Sequence, residues 1–310
     1  MTAVEEVTAP APAGTAVPVV WRPVPYRMPP PPLPAGASIA VRVAAALAVV
    51  AAWCALYLFA LSGLQAARGQ QVLYEQLRVN IAQATERIGG TIPPGTAVAL
   101  IEAPSVGLRY VVVEGTAAGD LRVGPGHRRD TPLPGQAGVS LVYGRAVSFG
   151  GPFRRVTQLR TGDTITVTTG QGTFNYRVDR VRRAGDPVPD QLSTGQGRLT
   201  LVTAEGVSWR AGWVPNQVVY VDSTLLNTPV PAPSGRPSAV PHAEEALQPD
   251  PGGLVPLVLW LQLLVLATGG AAWAWLRWGS AQTWLAGLPL ILLALWGASQ
   301  SASQLLPNLI

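Results

Sequence analysis

Three long apolar stretches, at residues 38–62, 254–276 and 281–305, limit what this chain can fold into more than any other feature. Each is long enough to cross a hydrocarbon core of about 30 Å as a helix. Backbone inside lipid has to satisfy its own N–H and C=O groups, and a helix does so. The charge content agrees: 13% of the 310 residues are Asp, Glu, Lys or Arg, against about 25% in an average soluble domain. The first stretch is too long for a removable signal peptide and lacks a small-residue cleavage site. Its one charge, Arg42, lies near the start, within snorkelling reach of the headgroups. Arg22, Arg27 and Arg42 at one end, against Arg68 and Arg78 at the other, favour a cytoplasmic N-terminus. Only Arg277-Trp278-Gly279-Ser280 separates the last two stretches, which forces an antiparallel hairpin. Trp273, Trp275, Trp278 and Trp284 suit one interfacial belt of that hairpin. One span, a domain and then two spans place the C-terminus on the same side as the domain. The expected location is the cell membrane, multi-pass.

The remaining segments differ sharply in character. Residues 1–37, with the run Met28-Pro29-Pro30-Pro31-Pro32-Leu33-Pro34, read as a disordered, Pro-rich cytoplasmic tail of polyproline II character. Within 63–90, Leu73, Leu77, Ile81, Ala84 and Ile88 repeat at helical spacing, which predicts an amphipathic juxtamembrane helix from Gln70 to Ile88, stopped by Gly89-Gly90. The repeat is too short for a coiled coil, so its apolar face is expected to pack on the next domain. Residues 91–226 carry short β-branched runs between Gly and Pro turns, with a hairpin at Thr169-Gly170-Gln171-Gly172. Seven or eight such strands imply a closed β-barrel or a sandwich. Residues 227–253 are a Pro/Ala-rich linker, expected to be flexible and to hold no site.

Residue chemistry excludes several function classes. All 22 residues counted as Lys+Arg are arginines, so Schiff-base, Ser-Lys and P-loop lysine chemistry are absent. The arginines are scattered without interleaved aromatics, which argues against nucleic acid as a partner. The single cysteine, Cys54, lies in the first apolar stretch, leaving no thiol elsewhere and no intramolecular disulfide. His127 and His242 are the only histidines, too few for a His-based metal site; no metal and no cofactor is expected. The run Arg198 to Thr203 alternates like a buried strand and delivers Ala204 to its end.

Several ordered blocks resemble the sortases, in particular the class E type common in actinobacteria. They are Val113-Glu114-Gly115-Thr116, Asp120-Leu121, Gly124-Pro125-Gly126-His127, Thr131 to Gly138, Phe149-Gly150-Gly151-Pro152-Phe153, Leu159 to Asp163 and Arg198 to Thr203. The resemblance covers about residues 91–222. It implies a fold that is mainly β, a sortase-like β-barrel ectodomain on the outer face of the membrane, with three transmembrane α-helices and an N-terminal amphipathic helix. Active members join a secreted protein to the cell wall or a pilin by cysteine transpeptidation with a His, a Cys and an Arg. Carried onto this chain, those positions hold Arg145, Ala204 and Gln217.

Such a chain is expected to have no catalytic residue of the usual kind and to be a pseudoenzyme of the cell envelope, with a peptide- or protein-binding or scaffolding role. Tyr143, Glu205, Ser208, Trp209 and Arg210 are the candidate groove residues. Arg145 and Glu205 are expected to face each other as an ion pair, or Arg145 to hold a carboxylate or phosphate. The four positions Arg145, Ala204, Glu205 and Gln217 are expected to converge in one pocket. The alternative is a hydrolase or transpeptidase with a non-cysteine nucleophile, for which Ser208 is the candidate.

Overall fold

The computed structural model describes residues 35–206 and 216–310. The chain divides at Ala45, and the described part of the first unit is only the opening of α1. Helix α1 (Ala35–Leu56), a π-helical turn at Tyr57–Leu61 and α2 (Ser62–Ala82) follow one another without a break. Periodicity places the amphipathic helix as far as Ile88, but α2 stops six residues earlier. Ala84 turns to a φ of 53°, and the Thr85 N–H closes back on the Asn80 carbonyl at 2.9 Å. Leu73 and Leu77 are buried against Ala97, Val111 and Val113, so the apolar face packs on the domain. Gln70 fastens it there: its amide donates to the carbonyls of Val111 at 3.0 Å and Val123 at 2.8 Å, and its oxygen accepts from the Val111 N–H at 2.7 Å.

The domain is a closed barrel of eight strands in the order β1-β2-β3-β4-β7-β8-β6-β5. The strands are β1 (Ala97–Ala103), β2 (Leu108–Glu114), β3 (Gly126–His127), β4 (Gly138–Tyr143), β5 (Thr164–Thr169), β6 (Gly172–Arg182), β7 (Gly197–Glu205) and β8 (Gln217–Leu225). All but β3 coincide with the β-branched runs. β3 has two residues, too few to show alternation, and closes the sheet by pairing parallel to β2 and antiparallel to β4. Thr169 faces Gly172 across the predicted hairpin, leaving a two-residue loop.

β7 lies between a parallel partner, β4, and an antiparallel one, β8. Leu199 and Leu201 enter the main core with Val142, Phe153 and Val221, while Val202 and Ala204 face outward into a second cluster. Both faces are therefore covered, as expected of a strand flanked on each side. Thr200 survives burial by donating to Asp222 at 2.8 Å, and Asp222 pairs with Arg182 at 2.8 Å.

Helices α3 (Leu254–Trp278) and α4 (Ser280–Ala302) form the antiparallel hairpin. Small residues bring them together: a Cβ on Gly297 would meet the Trp260 ring, the close approach that membrane helices use. Their outer faces stay bare, with Leu276 85% and Leu285 84% exposed. The described helices provide three segments long and apolar enough to cross a membrane.

Phe153 is wholly buried in the barrel core, so Phe153→Ala is expected to cost about 3–5 kcal/mol, read as a lowered thermal midpoint of the detergent-solubilised chain. Gln70→Ala is expected to raise hydrogen exchange at α2 and β2 while leaving the Leu199 and Leu201 amides protected.

Candidate functional site

Parallel pairing of β4 with β7 sets the site. Tyr143 lies opposite Val202 in register. The Gly144 N–H donates to the Val202 carbonyl at 2.9 Å, and Thr203 Oγ1 returns to the Gly144 carbonyl at 3.0 Å. The two strands thus carry Arg145 and Ala204 to the same end of the barrel. Gly144 has no room for a side chain, because a Cβ there would run into the Phe153 ring. That close approach directs the chain outward at Arg145, whose carbonyl accepts from the Phe153 N–H at 3.0 Å.

Arg145 is fully buried. Its guanidinium donates to the carbonyls of Leu121 at 3.2 Å, Ala118 at 2.8 Å and Ile310 at 3.0 Å, and to Ser148 Oγ at 3.1 Å. The group lies over the Phe149 ring at 4.8 Å, a cation–π contact strengthened by the absence of water. None of these acceptors is an acidic side chain. Burial and the nearby Arg122 charge push the guanidinium down to about 9, still protonated at neutral pH.

Ala204 is 3% exposed and packs with Leu121, Tyr143, Val202 and Leu309. Residues following α4 form its cover. Leu309 is fully buried, and its carbonyl accepts from the Ala146 N–H at 2.9 Å. Asn308 spreads its amide between the carbonyls of Thr116 and Glu245, both at 2.8 Å. Ser148 Oγ donates to the Ile310 oxygen, the same atom that Arg145 reaches. Among the described residues, no sulfur and no unshielded nucleophile stands beside Ala204; what the site offers is a set of directed donors around a main-chain oxygen.

The expected Arg145–Glu205 ion pair does not form. Successive side chains of a strand point to opposite faces, so Glu205 projects away from the side that Ala204 shares with Leu121. Its carboxylate pairs instead with Arg183, whose Nη2 donates at 3.0 Å. Gln217 sits in register with Glu205. The four positions therefore divide into Arg145 with Ala204, joined through Leu121 and the 309–310 segment, and Glu205 with Gln217. Tyr143 belongs to the first group, buried beside Ala204, with its hydroxyl accepting from Arg128 Nη1 at 3.5 Å. Ser208, Trp209 and Arg210 lie outside the described residues.

Residues 227–253 are not the free linker expected. Val230 bonds to Gly135 and Ala137, each at 2.9 Å. Arg236 donates to Glu114 at 2.7 Å, Arg129 Nε to Glu244 at 3.0 Å, and Thr116 Oγ1 to the Glu244 carbonyl at 2.6 Å. Composition indicated a solvated tether, and these contacts have no local sequence signal because every partner is distant in the chain. His127 is buried and satisfied, Nδ1 lying 2.9 Å from Glu114 Oε2 and Nε2 2.9 Å from the Pro132 carbonyl. No group of three or more His, Cys, Asp or Glu among the described residues is arranged to hold a metal ion.

Two carboxyls beside the site respond to acid in opposite senses. Burial raises Glu114, but His127 and Arg236 outweigh it and hold the group below the usual range. Its contribution is present above the unfolded value and lost as pH falls through the lowered one. Asp120 is pushed up to about 6 by burial and by the Glu244 charge, so its ionised form opposes folding above that pH and the penalty fades on acidification toward 4. Asp120→Asn is accordingly expected to raise the thermal midpoint at pH 7–8, by about 1–3 kcal/mol in stability, and to lose that advantage near pH 4. A difference independent of pH would show that Asp120 is not the titrating group.

Residues 101–222 match the family model described as the sortase domain. Among curated proteins the chain is similar to Sortase D of Bacillus subtilis (strain 168), with 31% identity over 88 residues, covering 28% of this chain and 43% of that protein. The match thus spans less than half of that relative. Similar solved structures include a Clostridium perfringens Sortase D5 transpeptidase, with 21% identity, 52% of this chain and 99% of that chain covered, and a TM-score of 0.42. The SrtF sortase from Corynebacterium diphtheriae shows 24% identity, with 51% and 98% covered and a TM-score of 0.38. The match over residues 101–222 takes in most of the eight-stranded barrel, whose fold is sortase-like.

Proposed function

We propose that this chain is a catalytically inactive sortase-like membrane protein that binds or scaffolds a peptide or protein at the cell envelope. One observation carries the reading: Ala204, at the end of β7, holds the position that the resemblance assigns to the nucleophile, while the only cysteine, Cys54, lies in α1. Covalent transpeptidation needs a thiolate and a base to activate it. A methyl group supplies neither, and Arg145 is protonated and committed to oxygen acceptors. The ordered blocks from Val113 to Thr203 support a class E-like, actinobacterial type within this reading. The detergent-solubilised chain is expected neither to cleave nor to transfer sorting-motif peptides, and to resist serine- and thiol-directed reagents at the domain. Cleavage that disappears in Ser208→Ala would overturn the proposal in favour of a non-cysteine nucleophile.

The same reading makes the protein multi-pass, with a cytoplasmic N-terminus and an extracytoplasmic barrel. Span parity supports it, since one span before the domain and two after it return the chain to the domain's side. Contact of Asn308, Leu309 and Ile310 with the barrel has the same requirement. On intact cells, Ser193→Cys is expected to react with a membrane-impermeant maleimide and Thr8→Cys only after lysis; the reverse pattern would invert the topology.

A further inference from the structure

The loop after β4 turns sharply at one place. Phe149, Gly150 and Gly151 all take positive φ, at 51°, 81° and 54°, which a residue with a Cβ adopts only where its surroundings impose it. At Phe149 they do: its N–H donates to Ser62 Oγ at 3.1 Å, and its ring is buried with Tyr57. Gly151 is pressed against the Ala146 carbonyl, which leaves no room for a side chain. Arg154 uses that gap. Its Nε and Nη2 lie 3.1 and 3.2 Å from where a Gly151 Cβ would stand, and Nη2 donates to the Val147 carbonyl at 3.3 Å. A cavity of about 210 Å³ opens beside the turn, lined by Gly150, Gly151, Arg154 and Arg155 and by Leu108 and Tyr110 of β2. Among the described residues, no acidic side chain lines it. Other exposed arginines of the barrel meet carboxylates, as Arg109 meets Glu102 and Arg183 meets Glu205; Arg154 and Arg155 meet none among the described residues. Two guanidinium groups sharing one cavity repel each other, and an anion between them removes that repulsion; their planar donors match phosphate oxygens.

The level of the cavity along the helices identifies the anion. A Cβ on Gly63 would lie 3.6 Å from the Gly150 nitrogen, and Gly63 is the first residue past the apolar stretch 38–62. Tyr110 also lines a hollow with Gln70 and Gln71 of α2, and at 1.5 Å per residue Gln70 stands about 12 Å beyond Ser62. A second ruler agrees: on α4 the small and polar residues Gly297 to Ser301 follow Trp296, whose ring sits edge-on to Tyr57 at 5.2 Å. With these helices spanning the bilayer, the cavity lies in the layer of lipid headgroups, about 5–8 Å thick on each side of the hydrocarbon core. We propose that it binds the phosphate of an anionic membrane lipid, with Arg154 and Arg155 gripping the phosphate oxygens. The same loop carries Arg145 and Ser148, so the bound headgroup fixes that end of the barrel against the membrane. The inference goes beyond the binding role given to the domain and rests on the proposed topology only for the leaflet, the outer one, from which the lipid comes.

The full chain in a neutral detergent is titrated with phosphatidylglycerol and with phosphatidylcholine of the same acyl chains, and bound lipid is counted by native mass spectrometry. Arg154→Gln/Arg155→Gln is expected to lower the preference for phosphatidylglycerol over phosphatidylcholine by about 10-fold. Arg177→Gln/Arg180→Gln, which removes the same charge from exposed positions of β6, is expected to leave that preference unchanged. Arg154→Lys/Arg155→Lys keeps the charge without the planar fork and is expected to fall between. Should the first variant lose the wild-type melting transition, Arg155→Gln alone carries the same comparison. A preference that survives in the folded variant, or that the β6 variant loses equally, would overturn the site. Displacement of the lipid by inorganic phosphate or soluble glycerophosphate at matching concentration would overturn the lipid assignment in favour of a free phosphate. Binding in detergent is independent of leaflet, which the maleimide pattern at Ser193→Cys reads, so the site and the topology fail separately.

Discussion

A guanidinium removed from water has to be solvated by the protein itself, and the end of the barrel is arranged around that demand at Arg145. Its donors call for carbonyls from several directions at once, and these come from the 118–121 turn and the segment after α4, with a hydroxyl from the loop it opens. Phe149 covers the remaining face. Removing any of these neighbours would leave a buried charge short of partners, a far larger penalty than the loss of one neutral hydrogen bond. The charge therefore joins parts of the chain that share little apolar surface.

That joining explains how the α3–α4 hairpin and the domain come to form one structure. Tyr57 sits edge-on to both Phe149, at 6.4 Å, and Trp296, at 5.2 Å. The Phe149 N–H donates to Ser62 at 3.1 Å. The loop after β4 is thus clasped by the π-helical turn, the start of α2 and α4 on one side and by residues 308–310 on the other. The result is a closed, hydrogen-bonded cover over this end of the barrel.

Much of the barrel was legible because alternation and β-branching are local. Leu199, Leu201 and Val202 announced a buried strand without reference to any partner, and the turn at Gly170-Gln171 announced its hairpin. β3 escaped because two residues have no period. Ile88 was misplaced because helical spacing continued past the point where Ala84 left the helix. At the site, spacing tied Arg145 and Ala204 to the ends of two long, well-patterned strands, which pair in the structure. It failed for Glu205, where one residue along a strand reverses the direction of the side chain, and for residues 227–253, whose composition conceals specific bonds to Gly135, Glu114 and Thr116.

By itself, the sequence determined three apolar helices, a β-rich domain between them, and an alanine at the end of its central strand with no cysteine near it. Those properties depend on residue type and short-range period, which hydrophobicity and backbone sterics express locally. Only the tertiary structure decided that Arg145 solvates itself with backbone oxygens instead of Glu205, and that residues 308–310 lie over Ala204. These pairings join residues up to 192 positions apart. Hydrogen-bond direction and burial choose among such partners, and neither exists until the barrel has closed.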